Sequence, residues 1–185
     1  RNNYGNSTSK EIVNYLSNPN SNVLEGILIL ISCLMDEDVV NASDFYSPEA
    51  KRYYYKMLKH DQQKVVENSL KVLQKIGKKE SNDKYVDLFL DIIDFDKNSL
   101  NNLYAMRAIN HMLPAVKFNK RIIKYYKEAL ESTNYNYRAE ALSGLRFSND
   151  NNLKRSLNYL KDDPSEEVRR EVTRLFVSPD RVEKS

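Results

Sequence analysis

The stretch Asp162–Phe176, DDPSEEVRREVTRLF, decides how the rest of this chain is interpreted. Its apolar residues recur at i, i+4 and i+7, which is the spacing of one face of an α-helix. These residues are Val168, Val172 and Leu175. Asp163 and Pro164 precede that face, and both residue types are common where a helix begins. The stretch therefore predicts a capped amphipathic helix whose charges are mostly architectural, with Arg170 and Arg174 left free for a partner.

The same helical spacing recurs along the whole chain and leaves little room for strands. With only four glycines and five prolines, the breaks between apolar-periodic segments are short. The predicted helices lie near Ser9–Ser17, Ser21–Met35, Pro48–Lys59, Asp61–Ile76, Asp83–Ile93, Ser99–Leu113, Asn119–Glu131, Tyr135–Phe147, Asn151–Leu160 and Pro164–Val177. Because short loops join these helices, consecutive helices are expected to form antiparallel hairpins.

The last helix is also a template for an internal repeat. Five segments align with one another at spacings of 31 to 42 residues, and each lies on the second helix of a predicted pair. The aligned segments begin at Val168, Tyr137, Tyr104, Val65 and Val23. Small residues at Ala141, Ala108 and Ser69 permit close helix approach. Periods in this range predict an all-α, right-handed α-solenoid of about five antiparallel helix pairs; an irregular helical bundle is the alternative.

The pattern Asp-x-x-x-x-Val-Arg at the last helix resembles the second-helix signature of HEAT-like, armadillo-type repeats, in the short bacterial form also seen in phycobilin-lyase-type modules. In that family the aspartate caps the helix and the arginine enters a polar ladder between repeats. The resemblance implies these roles for Asp163 and Arg169 and, in a weaker match, for Asn134 and Arg138. The three upstream copies have an aliphatic residue in place of the arginine, so the motif covers the last two repeats.

Composition suits one domain and excludes several classes. The 29 basic and 26 acidic residues give a net charge of +3, which is too balanced to require a nucleic acid or an anionic membrane. The apolar run Ile27–Met35 is shorter than the ~20 residues of a membrane span. It predicts a buried core helix, with Cys33 as a buried, inert thiol.

The ends of the chain are expected to differ from its centre. Residues 1–8 are polar and predict a flexible segment, residues 9–178 a single repeat domain, and residues 179–185 a tail. Because the first residue is Arg1 and not methionine, we expect the chain to continue a longer precursor. Localisation is left open between the cytoplasm and, if a cleaved signal preceded Arg1, export.

Enzyme signatures are missing from the sequence. The glycines form none of the motifs GxxxxGK[ST], GxGxxG or GxSxG, which excludes the common nucleotide-binding folds and the nucleophile elbow. His60 and His111 are far apart and have no cysteine partner, which argues against zinc. The expectation is a non-enzyme with no catalytic, cofactor-binding or metal-binding residue.

An acidic stretch at residues 94–99, DFDKNS, is similar to the opening of a calcium loop. The loop fails at its sixth position, which is Ser99 and not glycine, and at its twelfth, which is Ala105 and not glutamate. We interpret it as a turn in which Asn98 or Ser99 caps the next helix. Three acids share one helix face at i, i+4 and i+7 and are interpreted as an exposed face, with paired carboxylates as the alternative: Asp87, Asp91 and Asp94.

Two basic clusters interleave lysine or arginine with tyrosine, which can grip phosphates and stack on bases. They are KFNKRIIKYYK at residues 117–127 and AKRYYYKMLK at residues 50–59. At the net charge of this chain we favour solvated helix faces whose lysines extend over half-buried tyrosines.

The favoured function is a non-catalytic scaffold that presents a concave helical face to a protein or peptide, expected to be acidic. Second helices commonly line that face in a solenoid, and Lys71 lies on one of them. The predicted partner-binding residues are Arg107, His111, Arg138, Arg146, Arg170 and Arg174. The alternative is a nucleic-acid-binding protein related to the HEAT-like alkylpurine DNA glycosylases, but the absence of tryptophan argues against that activity. A tetrapyrrole-lyase-like role is a third hypothesis that rests on the repeat style alone.

Overall fold

A computed structural model gives the structure of the chain. It describes residues 4–36, 42–45, 47–80, 83–91, 93 and 99–176. Ten α-helices lie in these residues, and no strand does. They are α1 (Tyr4–Asn14), α2 (Ser21–Asp36), α3 (Pro48–Met57), α4 (Gln63–Glu80), α5 (Lys84–Leu90), α6 (Leu100–Met112), α7 (Lys120–Leu130), α8 (Tyr135–Leu145), α9 (Asn151–Ser156) and α10 (Glu166–Arg174). The predicted all-α class is therefore confirmed.

Short polar side chains begin several of these helices, which explains why the sequence predicts their starts. Ser47 accepts a hydrogen bond from the amide of Ala50, and Asn119 accepts from the amides that open α7. The side chain of Asn134 caps α8 in the same way, as its resemblance to the repeat signature implied. Ser99 caps α6, so the prediction that Asn98 or Ser99 starts this helix is confirmed.

Several boundaries differ from the prediction, and α4 continues to Glu80, past its predicted end at Ile76. Helix α1 begins at Tyr4, earlier than Ser9. Helix α9 stops at Ser156 because Leu157 leaves α-helical geometry, and a 3₁₀ turn follows at Asn158–Asp162. Helix α10 begins after Ser165, and the carboxylate of Asp163 accepts the amide hydrogen of Ser165 at 2.8 Å. The aspartate thus closes the turn before the helix and does not bond the first helical amides.

The chain forms two compact units, residues 1–85 and residues 86–185. In the first unit α4 packs against α2 and α3. In the second unit α8 packs against α7, α6 and α10. Helices α2, α4, α6, α8 and α10 are the second helices of the predicted pairs, so within each unit second helices pack on one another. The single domain of residues 9–178 stays a prediction, and the tail at 179–185 lies outside the described residues.

Buried tyrosines and aliphatic side chains fill the two cores. The first unit buries Tyr54, Leu28, Ile31 and Leu73, and the second buries Tyr126, Tyr137 and Leu142. Burial raises the pKa of the Tyr126 hydroxyl well above its usual value, and the negative charge of Glu140 adds to this shift.

Cys33 corrects one prediction, because it is exposed. The apolar run around it suggested a helix buried on all sides. Helix α2 instead buries a single face at i, i+4, i+7 and i+11, and Cys33 lies off that face. The buried residues of the helix are Leu24, Leu28, Ile31 and Met35.

Candidate partner-binding surface

The solvent-facing side of α4 carries a column of basic residues. Its members follow i, i+4, i+7, i+11 and i+14 and therefore share one helix face. We call this the α4 column, and it consists of Lys64, Asn68, Lys71, Lys75 and Lys78. Lys71 was predicted from the sequence to lie on the binding face. Lys64, Lys75 and Lys78 were not, although their helical spacing is a signal that could have found them.

Two lysines of the α4 column pair with glutamates. Lys71 Nζ lies 2.6 Å from Glu67 Oε1, and Lys64 Nζ lies 3.9 Å from Glu25 Oε1. In both pairs the lysine side chain is more exposed than the glutamate. Lys78, further along the helix, is exposed as well. The α4 column therefore presents positive charge to solvent.

Lysines near the end of α4 also hold the end of α2. Lys75 Nζ donates a hydrogen bond to the carbonyl of Ser32 at 3.2 Å and pairs with Asp36. Lys79 Nζ donates to the carbonyl of Met35 at 2.8 Å. Ammonium groups suit this place, since the last carbonyls of a helix carry its partial negative charge.

Arg107 projects from α6 and binds a glutamate of α8. Its Nε donates to Glu140 Oε1 at 2.7 Å, and Asn110 Nδ2 donates to the other carboxylate oxygen at 3.0 Å. The side chain of Arg107 is 47% exposed, whereas that of Glu140 is 19% exposed. A mostly buried carboxylate thus orients this predicted contact residue and leaves nearly half of it at the surface.

Arg138 lies in a ladder between repeats, as the resemblance implied. Its Nε and Nη2 donate to the two carboxylate oxygens of Asp163, each at 2.8 Å. The two side chains are only 13% and 6% exposed. Hydrogen bonding from Arg138 lowers the pKa of the Asp163 carboxyl, and the amide of Ser165 contributes in the same direction. The predicted contact residue Arg138 is therefore largely covered by protein.

Arg169 makes no ladder bond to a carboxylate within the described residues, so the ladder role that the resemblance implied stays a prediction. Its Nη1 donates to the carbonyls of Asp163 at 2.7 Å and Pro164 at 2.9 Å, within the turn that leads into α10. Arg138 makes the corresponding bonds to the two carbonyls in the turn before α8. Helix α10 is the last described helix, so the described residues contain no following aspartate at the place of Asp163.

Arg170 and Arg174, which the sequence predicts to be free for a partner, each form an ion pair with a glutamate of α10. Arg174 Nη1 donates to Glu171 Oε1 at 2.6 Å, and Glu171 is only 9% exposed at its side chain. Arg170 lies 3.7 Å from Glu167, and both of these side chains are well exposed. Arg174 is thus oriented by a buried carboxylate, as Arg107 is, whereas Arg170 is held loosely.

Arg146 and His111 differ from the paired arginines. The Arg146 guanidinium lies 4.8 Å from the centre of the Phe147 ring, and its buried Nε has no hydrogen-bond partner among the described residues. Lys154 Nζ donates to the Arg146 carbonyl at 2.7 Å, and burial lowers the pKa of this lysine. His111 is exposed on α6. No described hydrogen bond joins Arg146 to His111.

The acidic face of α5 meets the basic cluster of residues 117–127. Arg121 Nη1 donates to Asp87 at 2.9 Å, and Nη2 of the same residue pairs with Asp91. These carboxylates raise the pKa of the guanidinium. The two aspartates therefore pair with an arginine of α7, while Asp94, Asp96 and Asn98 lie outside the described residues.

Other kinds of site find no support in the part of the chain that the structure describes. No three metal-ligating side chains are grouped there to hold an ion. His60 contacts Asp61, its neighbour in sequence. None of the described helices combines the length and apolar character that a membrane crossing needs.

Comparison with known proteins shows the fold. A designed armadillo repeat protein in complex with the peptide (KR)4 superposes with a TM-score of 0.61 and 14% identity, over 92% of this chain and 85% of that one. An engineered protein superposes with a TM-score of 0.57 and 15% identity, over 91% and 77% of the two chains. No protein-family model and no curated protein matches the sequence. The fold is therefore an all-α solenoid of the armadillo or HEAT-like type.

Proposed function

We propose that the protein is a non-catalytic scaffold that binds acidic segments of a partner protein on the exposed faces of the second helices within each unit. One observation carries the proposal. In five ion pairs on these faces the basic side chain is more exposed than the acid that it meets, and these pairs involve Lys64, Lys71, Arg107, Arg170 and Arg174. Lys75 is an exception, since Asp36 is the more exposed partner.

The arginines of the second unit are prepared for a carboxylate ligand. Arg107 and Arg174 each contact a glutamate through part of a guanidinium that has five N–H groups in a fixed plane. Since the glutamates Glu140 and Glu171 fix their orientation, less side-chain entropy is lost when a ligand binds. Charge-assisted bonds from such groups to a partner's carboxylates are stronger than neutral ones.

The α4 column offers a second set of cations in the first unit. From Lys64 to Lys78 the helix rises about 21 Å, which an extended peptide spans with roughly six residues. Asp or Glu side chains alternating along such a peptide would meet lysine ammonium groups. The comparison with a designed repeat protein that binds (KR)4 supports peptide binding by this fold, while the basic surface here favours the opposite charge in the ligand.

The proposed contact set changes in emphasis from the sequence prediction. It keeps Arg107 and Arg174, adds the lysines of the α4 column, and retains His111, Arg146 and Arg170 as outer contacts. It leaves out Arg138, because that guanidinium is already bound on both sides and little exposed.

Charge reversal on the α4 column tests the proposal. The variant Lys71→Glu/Lys78→Glu is expected to weaken binding of a fluorescein-labelled Asp/Glu octapeptide at least about tenfold, since loss of about 1.4 kcal/mol has that effect. Fluorescence polarisation measures the affinity.

Lys56→Glu/Lys59→Glu is the matched control, because it makes the same charge change at exposed lysines at the end of α3. It is expected to bind within about twofold of the unchanged protein. Equal weakening by both variants would mean that only net charge matters, and the proposed surface would be wrong.

Nucleic acid is the second candidate, and the α4 column is the observation that favours it. Four lysines on one helix face would meet successive phosphates, and such binding falls steeply with salt. Titration with a duplex oligonucleotide under the same conditions distinguishes nucleic-acid binding from binding of an acidic peptide. Salt-sensitive DNA binding together with no binding of the acidic peptide would replace the first candidate by the second.

A further inference from the structure

Helix α2 carries an apolar stripe that is partly exposed to solvent. The stripe follows i, i+4, i+7 and i+11, so its residues share one face of the helix. We call it the α2 stripe, and it consists of Val23, Ile27, Leu30 and Leu34. Val23 is 37% exposed and Leu30 is 43% exposed, while Ile27 and Leu34 are partly exposed.

The same repeat positions are buried in other second helices. In the alignment of the repeats, Val23 corresponds to Val65 in α4, Tyr137 in α8 and Val168 in α10. The buried equivalents of the α2 stripe are Val65, Ser69, Val72 and Ile76 in α4, Tyr137, Ala141, Gly144 and Ser148 in α8 and its following turn, and Val168, Val172 and Leu175 in and after α10. In α6 the position of Leu30 is exposed too, but there it is the polar His111.

The contacts of α8 show what covers these positions. The Tyr137 hydroxyl donates to the carbonyl of Ser99, at the start of α6, at 2.8 Å. Gly144 lies directly against the side chain of Asn110 in α6. The side chain of Tyr126 in α7 is close to Gly144 as well, so the stripe of α8 contacts both its own first helix and the second helix of another repeat. The α2 stripe therefore has the chemistry of a contact between helices.

The residues around the α2 stripe would allow the α2 helices of two copies of the chain to pack against each other. The neighbouring exposed residues Asn22, Gly26, Ile29 and Cys33 are uncharged, so two such faces would meet without repulsion between like charges. A Cβ on Gly26 would have no heavy atom within 4 Å, which leaves room for a close helix. The outer face of α10 differs, since it carries the exposed charges of Arg170 and Glu167.

We propose that the α2 stripe is a self-association surface, on which α2 of a second copy of this chain packs about a two-fold axis. A two-fold contact places the same patch on both subunits, which suits an uncharged apolar stripe. Helix α2 is about 24 Å long, so the contact is smaller than a standard interface of ~800 Å² per partner. The dimer is therefore expected to form at high protein concentration.

Sedimentation equilibrium from about 1 µM to about 1 mM tests the proposal. The unchanged protein is expected to shift from monomer to dimer across this range. Leu30→Glu is expected to weaken the dimer at least about tenfold, because it places a carboxylate in the apolar contact. Val23→Lys is expected to do the same, and the circular dichroism of both variants is expected to match that of the unchanged protein.

Leu100→Glu is the matched control, because Leu100 is a leucine of α6 that is 53% exposed. It is expected to leave the dimer unchanged. A monomer at every concentration would overturn the proposal, and would leave a helix of another protein as the occupant of the stripe. A dimer that Leu30→Glu and Val23→Lys do not weaken, or that Leu100→Glu weakens equally, would overturn it as well.

Discussion

Arg138 binds on two sides, to the carboxylate of Asp163 and to two carbonyls in the turn before α8. The bidentate contact satisfies both oxygens of a buried acid, which would otherwise be costly to remove from water. One residue thus joins its own helix pair to the next. At this scale the ladder is a structural device and not a binding site.

Asp163→Asn is expected to lower the free energy of unfolding by about 3 kcal/mol, because it leaves the buried Arg138 without a charged partner. Urea denaturation at pH 7 measures the change. Glu167→Gln is the control, since it removes an exposed ion pair with Arg170 and is expected to cost less than about 1 kcal/mol. Equal effects of the two variants would contradict the structural role of the Arg138–Asp163 pair.

The difference in unfolding free energy between the unchanged protein and Asp163→Asn is expected to depend on pH. The folded-state pKa of Asp163 lies below its unfolded value of about 3.9, so its ionised form stabilises the protein above that pH. The stabilisation is lost as the pH falls through the lower folded-state pKa. The difference between the unchanged protein and Asp163→Asn is therefore expected to be constant from about pH 7 to 5 and to shrink below about pH 4. A difference that grows on acidification would contradict this assignment.

Some roles of individual residues could be predicted from the sequence, and others could not. The Asp-x-x-x-x-Val-Arg pattern predicts the ladder partners Arg138 and Asp163, because capping and ladder residues have fixed spacings. The ladder role of Arg169 stays a prediction, because its partner would have to come from residues beyond those that the structure describes. Exposure of Cys33 could not be predicted, since an apolar run does not reveal which of its faces a neighbour covers.

Close packing of helix α8 depends on a glycine. A Cβ at Gly144 would overlap the side chains of Tyr126 and Asn110, with the Cζ atom of Tyr126 at 2.8 Å. Tyr126 is fully buried, and its hydroxyl donates to Asn110, which in turn binds Glu140. Neither side chain can therefore move aside without breaking this hydrogen-bonded group.

Gly144→Ala is expected to destabilise the protein by about 1–3 kcal/mol, the usual cost of overpacking a core. In an open position of a helix, the same substitution of glycine by alanine normally stabilises the protein. Gly26→Ala is the matched control on α2, where space is open, and is expected to stabilise by about 0.5–1 kcal/mol. Thermal denaturation of both variants at low protein concentration measures the two signs. Stabilisation by Gly144→Ala would show that α8 is not packed in this way.

At the scale of elements, the helix starts that have a capping side chain were the most predictable feature. Ser47, Ser99, Asn119 and Asn134 begin helices through local hydrogen bonds that need no tertiary contact. Helix ends were less predictable, as the early break of α9 at Leu157 shows, because apolar spacing continues through the 3₁₀ turn.

At the scale of the molecule, the repeat period predicted that second helices pack on one another. The net charge did not predict where the charged side chains lie on the surface. A value of +3 suggests no electrostatic preference. The structure separates the charges, since several acids lie beneath the basic side chains that they bind. Surface potential depends on which partner of an ion pair is exposed, and the sequence does not specify that.

Paired calorimetric titrations test the central claim, that the exposed second-helix faces select an acidic ligand. An Asp/Glu octapeptide and a Lys/Arg octapeptide of equal length are titrated into the same protein at low and at moderate ionic strength. The account predicts binding of the acidic peptide, weakened by salt, and no binding of the basic one. Preference for the basic peptide, or equal binding of both, would contradict it.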